Sequence, residues 1–200
     1  MKIVEPLVTL LWVTPEPEKQ IERIGRVCYK SEDKITSVSS AEFCKRMVKS
    51  GHHAMIEHAS ASFRIITDRG ISHEIVRHRV ASYAQESTRY VKYNRECSFI
   101  LPPGMTKKQY ELWCGACRYA EAAYMNALDT GCPPQIARSV LPNCLKTELV
   151  MTCNFREWRH FIILRTSKAA HPQIRPIANE IHAMLYQIAP NIFGDIGENI

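Results

Sequence analysis

The sequence has no run of apolar residues approaching the ~18 needed to cross a bilayer, and its N-terminus carries no signal-like apolar segment ending in small residues. The first absence argues against a membrane protein. The second removes the case for an oxidising compartment, so the eight cysteines are expected to be reduced thiols in the cytoplasm. No second pair accompanies Cys114-Gly115-Ala116-Cys117 at zinc-ribbon spacing, and this pair sits in a helical pattern, so it is expected to fill space rather than bind metal. Internal repeats and low-complexity segments are also missing. What remains is a chain of 200 residues, 46% apolar and 23% charged, expected to form one domain over 1–200 with a substantial core. Lys plus Arg at 26 against Asp plus Glu at 20 gives a net charge of +6. That balance suits phosphorylated small molecules without resembling a nucleic-acid-binding tail.

The densest chemistry lies in Arg77-His78-Arg79-Val80-Ala81-Ser82-Tyr83-Ala84-Gln85-Glu86-Ser87-Thr88-Arg89-Tyr90. Cations, hydroxyls and an amide here follow directly on an apolar run. If the triplet is helical, successive side chains stand about 100° apart, so Arg77, His78 and Arg79 must serve different ligands or different parts of a large one. A second concentration, Gly51-His52-His53-Ala54-Met55-Ile56-Glu57-His58, is rich in imidazole but does not match HExxH. His73 and His78 resemble a zinc-protease pair only at a glance, because their spacing leaves them about 140° apart around a helix.

Taken in order, Lys2 to Val13 reads as a strand leading into Pro15-Glu16-Pro17 and a helix to about Tyr29, with Ile21, Ile24, Val27 and Cys28 on its buried face. Ser39 or Ser40 is expected to cap a second helix carrying Phe43, Met47 and Val48 and ended by Gly51. Ala61 to Thr67 suits a strand. Asp68-Arg69-Gly70 then turns into a helix from about Ile71, packed through Ile71, Ile75 and Val76, that pushes Arg77 to Arg79 toward a site. A short strand over Cys97 to Leu101 precedes a long helix capped by Thr106, with Tyr110, Trp113, Cys117, Ala120, Tyr124 and Leu128 in a stripe. Gln135 to Pro142 reads as a short helix offering Arg138, and Leu145 to Cys153 as a strand. Asn154 caps a helix placing Arg156 and His160 on one face, Phe161 and Leu164 on the core and Arg165 at the end; Ala169 to Gln173 open a last helix through Leu185.

Together these residues resemble the flavin-dependent thymidylate synthase family, whose signature is an Arg-His-Arg triplet, a serine, and a Ser-x-Arg-Tyr ending. Arg77-His78-Arg79, Ser82 and Ser87-Thr88-Arg89-Tyr90 match it, and Gly51-His52 with Glu57-His58, Ala137-Arg138 with Val140-Leu141-Pro142, and Asn154-x-Arg156 with His160-Phe161 and Leu164-Arg165 follow in family order. The resemblance implies an α+β fold with an antiparallel sheet flanked by helices, in a homotetramer with sites at subunit interfaces. It implies reductive methylation of dUMP to dTMP, with methylenetetrahydrofolate as carbon donor, NADPH as hydride source and FAD as intermediary.

By the same resemblance, Arg77, His78, Arg79, Asn154, Arg156 and His160 are FAD contacts, with Arg77 also near the nucleotide. Glu74, Gln85, Glu86, Ser87, Thr88, Arg89 and Arg138 correspond to dUMP-binding positions, Gln85 being assigned to the flavin as well and Ser87 and Arg89 suited to phosphate. Arg165 corresponds to the catalytic residue that polarises the uracil. Ala54 and Met55 stand where many members have threonine and proline, leaving Ala54 a backbone contact to flavin, and Glu74 replaces the glutamine of some relatives. Two other classes compete: a metallohydrolase built on His52, His53, His58 and His73, and a basic nucleic-acid-binding module. The dispersed charge and lack of a recognition motif count against the second.

Overall fold

The structure, a computed structural model, describes residues 1–93 and 96–197. Pro6 has no N–H to give a ladder, and the strand expected over Lys2 to Val13 is accordingly two, β1 (Lys2–Val4) and β2 (Leu7–Val13). They are followed by α1 (Pro17–Val27), α2 (Ser39–Lys49), β3 (Ser60–Asp68), α3 (Arg69–Ile75), β4 (Ser82–Gln85), β5 (Ser98–Ile100), α4 (Lys107–Asp129), α5 (Pro134–Ala137), β6 (Lys146–Asn154), α6 (Phe155–Thr166), α7 (Ile174–Ile188) and α8 (Pro190–Phe193). Short 3-10 turns occupy Glu32–Lys34, Met55–His58 and Arg138–Val140.

The fold is α+β, with an antiparallel sheet in the order β2-β3-β6-β4 flanked by helices. A separate parallel pair joins β1 to β5 with Ile3 opposite Phe99. Position in the sheet explains burial. Central β6 alternates strictly, with Thr147, Leu149, Met151 and Cys153 inside, whereas edge strand β2 leaves Leu7, Leu11 and Trp12 exposed.

The chain forms two compact units: one of Met1–Leu7, Ile65–Arg77 and Ala84–Val150, the other of Val8–Arg64, His78–Tyr83 and Met151–Ile200. In the first, Cys97, Phe99, Cys117, Tyr124, Ala137 and Leu145 form a core against which α4 packs. A capping box starts α4: Thr106 Oγ1 accepts from Gln109 N at 3.3 Å, while Gln109 Oε1 accepts from Thr106 N at 2.8 Å. Cys114 and Cys117 are buried as space-filling thiols, the latter 3.5 Å from the Cys144 sulfur, and all eight cysteines are free. Of the α4 stripe, Tyr124 and Cys117 are buried, whereas Tyr110 is exposed and stacks on Trp113.

In the second unit α6 is the buried helix. Asn154 Oδ1 caps it by accepting from Glu157 N at 2.9 Å, as the sequence predicts. Trp158 is fully buried, packs edge-on against Phe63 and Phe161, and donates its indole N–H to Ala61 O at 3.1 Å. Leu164, expected in the core, is exposed; Ile162 takes that place. α2 begins without the serine cap expected of it. Val38 holds the cap position, while Ser39 donates its hydroxyl to Glu22 at 2.7 Å. Gly51, at φ +73, ends the helix by letting His52 N reach Met47 O at 2.9 Å.

Candidate active site

The Arg-His-Arg triplet is not helical. Asp68 caps α3 through Ile71 N at 2.7 Å, but the helix stops at Ile75 and the chain turns toward β4, a strand that sequence periodicity alone did not reveal. Val76, expected to pack, is exposed. In the turn and loop that follow α3, Arg77 and Arg79 are exposed while His78 is 4% exposed. The three side chains diverge without a helix to spread them.

His78 is the hub of the chemistry in its unit. Its Nδ1 lies 3.1 Å from Glu157 Oε1, and its Nε2 accepts from Arg165 Nε at 3.0 Å. Phe161 meets the ring edge-on with centroids 4.9 Å apart, His160 tilts over it at 5.5 Å, and Tyr83 Oη donates to the His78 carbonyl at 2.8 Å. Burial, reinforced by the positive charge of Arg165 and by His160, pulls the His78 pKa down to about 4. Burial also holds the Glu157 carboxyl above the usual range. The imidazole is therefore neutral at neutral pH.

Beside this hub lies a cavity of ≈ 540 Å³ whose lining includes His53, Val80, Asn154, Arg156, His160 and Ile163. Arg156 pairs with Glu57 at 2.6 Å. A second cavity of ≈ 900 Å³ shares His53 and Arg156 with the first and adds Ala54, Tyr29, Phe43, Arg46 and Lys34. Cations, aromatic faces and apolar walls in this combination fit a dinucleotide such as a flavin cofactor: guanidinium groups for a pyrophosphate, flat apolar surface for rings. Ala54 lines the second cavity.

Metal chemistry is less well served. Among the described residues, the donors that converge are His78, Glu157 and His160, whose ligand atoms lie within 4.8 Å of one another. None of His52, His53, His58 or His73 belongs to that group. A cation there would need the Nδ1 lone pair of His78, which puts the ring proton on Nε2, where Arg165 already aims an N–H. The guanidinium and a metal ion also repel one another.

The other unit holds a different constellation. Gln85 donates its amide nitrogen to Ser72 Oγ at 2.9 Å and Thr147 Oγ1 at 3.1 Å, which fixes its side chain on the sheet. Glu86 accepts from Tyr93 Oη and from Lys146 Nζ, the latter at 2.8 Å. Arg138 Nη1 donates to the buried Thr88 hydroxyl at 2.9 Å. A cavity of ≈ 250 Å³ is lined by Arg69, Thr88, Arg138, Ser139, Leu141 and Leu145. Arg69 Nη1 is buried with no hydrogen-bond partner among the described residues.

An unpaired guanidinium nitrogen beside a second arginine and two hydroxyls has the chemistry to take an anion. Ser87 and Arg89 do not line this cavity; Arg89 is exposed and stacks over the Tyr90 ring at 5.3 Å. Glu74 is half-buried.

Sequence reasoning missed Arg69, Glu157 and Tyr83. A signal for Arg69 existed: it is a cation at a helix N-terminus, where the dipole disfavours positive charge. Glu157, three residues after the Asn154 cap, reads as an ordinary capping partner, and that reading hides its contact with His78.

The fold and these two constellations suit an enzyme that handles anionic ligands, and the comparisons give it a family. A model of the thymidylate synthase complementing protein family matches residues 9–191, and the chain belongs to that family of enzymes. It is 36% identical over 200 residues to the flavin-dependent thymidylate synthase of Geobacter sulfurreducens, covering 95% of this chain and 86% of that one. The Mycolicibacterium gilvum flavin-dependent thymidylate synthase is 36% identical over 195 residues, covering 88% and 78%. Among solved structures, the UMP/dUMP methylase PolB from Streptomyces cacaoi bound with 5-Br dUMP superposes with a TM-score of 0.85 at 24% identity over 97% of this chain and 96% of that one. That likeness establishes a common fold.

Proposed function

We propose that the protein methylates dUMP reductively to dTMP, with methylenetetrahydrofolate as carbon donor, NADPH as hydride source and bound FAD. The observation that carries the reading is the Arg69–Arg138 cavity, whose buried, unpartnered guanidinium nitrogen suits a nucleotide phosphate. Family membership supplies the reaction class.

Arg69, Arg138, Thr88 and Ser139 would hold the phosphate in this cavity; Ser87 and Arg89 lie outside its lining and belong to the expected dUMP set on the family resemblance alone. Gln85, Glu86, Glu74 and Arg77 complete the expected dUMP set; the internal bonds of Gln85 and Glu86 orient them in advance. Arg156, His160, Asn154, Ala54 and Arg79 would hold FAD, whose bound isoalloxazine supplies the hydride chemistry. His78 has both ring nitrogens engaged inside the protein, so it offers a cofactor only its ring surface. Arg165 presents a guanidinium toward negative charge developing on the uracil.

The expected homotetramer, with sites at subunit interfaces, is supported by the apolar side chains left exposed on β2 (Leu7, Leu11 and Trp12) and on α4 (Leu112 and Tyr119). The cytoplasm and partners confined to dUMP, folate and nicotinamide nucleotide, without nucleic acid or membrane, complete the reading. No helix is long and apolar enough to cross a membrane among the described residues.

The decisive experiment mixes FAD-loaded protein anaerobically with NADPH and dUMP, then adds methylenetetrahydrofolate. Flavin reduction followed by reoxidation with stoichiometric dTMP is expected; reduced flavin that persists without dTMP overturns the reading. Metal analysis separates the hydrolase alternative, which requires stoichiometric zinc in a colourless protein.

A further inference from the structure

Glu157 has no assigned role in the reading above, yet it stands one imidazole away from Arg165. We propose that Glu157 is a positioning residue that, through His78, holds the Arg165 guanidinium at a fixed angle. The inference rests on the reading of Arg165 as the group facing the uracil.

One proton links Glu157 to Arg165. Arginine Nε–H can only donate, so His78 Nε2, at 3.0 Å, must carry the lone pair. The ring proton then sits on Nδ1, 3.1 Å from Glu157 Oε1, where the carboxylate accepts it. Moving that proton to Nε2 would set two donors against each other at Arg165 and a lone pair against a carboxylate at Glu157. Glu157 therefore selects the tautomer that Arg165 requires.

Every member of this relay is itself fixed. Glu157 lies in the first turn of α6 with its N–H bound to Asn154 Oδ1 at 2.9 Å, and only 9% of it is exposed. The His78 ring is wedged against Phe161, and its backbone carbonyl is held by Tyr83. Because a guanidinium is planar, anchoring Nε sets the plane in which the terminal amino groups lie. Its N–H contact with His78 thus converts the rigidity of α6 into the orientation of a reactive group.

The test uses 15N-labelled, FAD-loaded full-length protein and the variants Glu157→Leu and Glu157→Gln. In wild type, NMR should show His78 as the Nδ1–H tautomer and a slowly exchanging Arg165 Nε–H. In Glu157→Leu the tautomers should mix, and the Nε–H should exchange about 10-fold faster or more, the effect of losing one hydrogen bond between charged or polar groups. Glutamine still offers an oxygen to Nδ1–H, so Glu157→Gln should keep the tautomer and most of the protection. With dUMP as substrate, Glu157→Leu should lower kcat about tenfold with KM changed less than about threefold, and Glu157→Gln should restore most of kcat. Should the leucine variant fail to fold, Glu157→Ser, too short to reach His78, makes the same comparison.

Three outcomes overturn the proposal: an Arg165 Nε–H as protected in the leucine or serine variant as in wild type, an equal loss of protection in the glutamine variant, or lost protection with unchanged kcat. A wild-type protein that makes no dTMP overturns the substrate reading instead, and the exchange and tautomer measurements still decide the relay.

Discussion

Arg69 offers a prediction in which stability and binding move in opposite directions. Its Nη1 is buried with no partner among the described residues, in a cavity it shares with Arg138, whose own Nη1 is committed to Thr88. An unsatisfied buried donor costs about 1–3 kcal/mol. Arg69→Met keeps most of the aliphatic stem and removes both the orphaned donor and the repulsion from Arg138. Glu86 does not lose its counter-charge, because Lys146 lies 2.8 Å from it. The ligand-free variant should therefore gain about 1 kcal/mol, which for a chain of this size raises Tm by about 2–4 °C.

Binding should suffer. A charge-assisted hydrogen bond to phosphate is worth about 1.5–3 kcal/mol, so dUMP affinity should fall about 10- to 150-fold. Calorimetry and thermal unfolding with dUMP and with deoxyuridine separate the two effects. Deoxyuridine, which lacks the phosphate, should bind wild type and variant alike. A lower ligand-free Tm in Arg69→Met, or an equal loss of dUMP and deoxyuridine affinity, would refute the assignment of an anion site.

Other expectations follow from the same geometry. Arg165→Ala should retain FAD, measured by flavin absorbance, and lose dTMP synthesis by at least about 100-fold, the scale of removing one electrostatic stabiliser of developing charge. Ser87→Ala should mainly raise KM for dUMP, by roughly tenfold for one hydrogen bond to a charged group; full wild-type kinetics in either variant would remove its assignment. His78 has a folded pKa of about 4, below the ordinary histidine value, so the folded state binds fewer protons than the unfolded chain between about pH 4 and 6.5. Its contribution is fully present above that window and is lost as pH falls through it, opposed in part by the raised Glu157; urea midpoints across the window should fall less steeply in His78→Gln. Gly25→Ala gains about 1 kcal/mol of helix propensity, but a Cβ there runs into the Phe43 ring, itself flanked by the Arg26 and Arg46 guanidinium groups. Overpacking at about 1–3 kcal/mol should leave a net loss visible as a lower urea midpoint, and an unchanged or higher midpoint would show that the ring can retreat.

What could be read from the sequence was what depends on local chemistry. Asn154 and Thr106 cap the helices they were expected to cap, and Gly51 ends α2 because only its backbone tolerates that turn cheaply. The alternation from Lys146 to Asn154 reads directly as a strand with one buried face. The misses depend on partners remote in the chain. The Arg77–Arg79 segment has nothing in its own composition that forbids a helix, yet the following residues enter β4 beside β6 and draw the triplet out of α3. Serine outranks valine as an N-cap on propensity, but Ser39 bonds to Glu22, a partner 17 residues away, and Val38 is left in the cap position. Family order supplied most of the proposed site. Arg69 and Glu157 emerged only when burial and distance were added, because one resembles a turn residue and the other a capping residue.

The two arginine settings also differ in a way that follows from charge. Arg138 gives one N–H to a hydroxyl, Arg69 has a nitrogen with no acceptor among the described residues, and no carboxylate is among the residues lining their cavity. This suits a multiply charged anion such as phosphate, whose binding is strongest where charge is least compensated. Arg165 faces a subtler demand, since the charge it would stabilise arises only during reaction. Interposing the neutral ring of His78 transmits the directional preference of Glu157 while keeping the carboxylate one imidazole away. The depressed pKa of His78 is part of the same arrangement: a protonated ring would both repel Arg165 and lose the lone pair that holds it. The relay therefore predicts that the orientation of the Arg165 guanidinium is lost as His78 protonates, below the pH at which an ordinary histidine would do so.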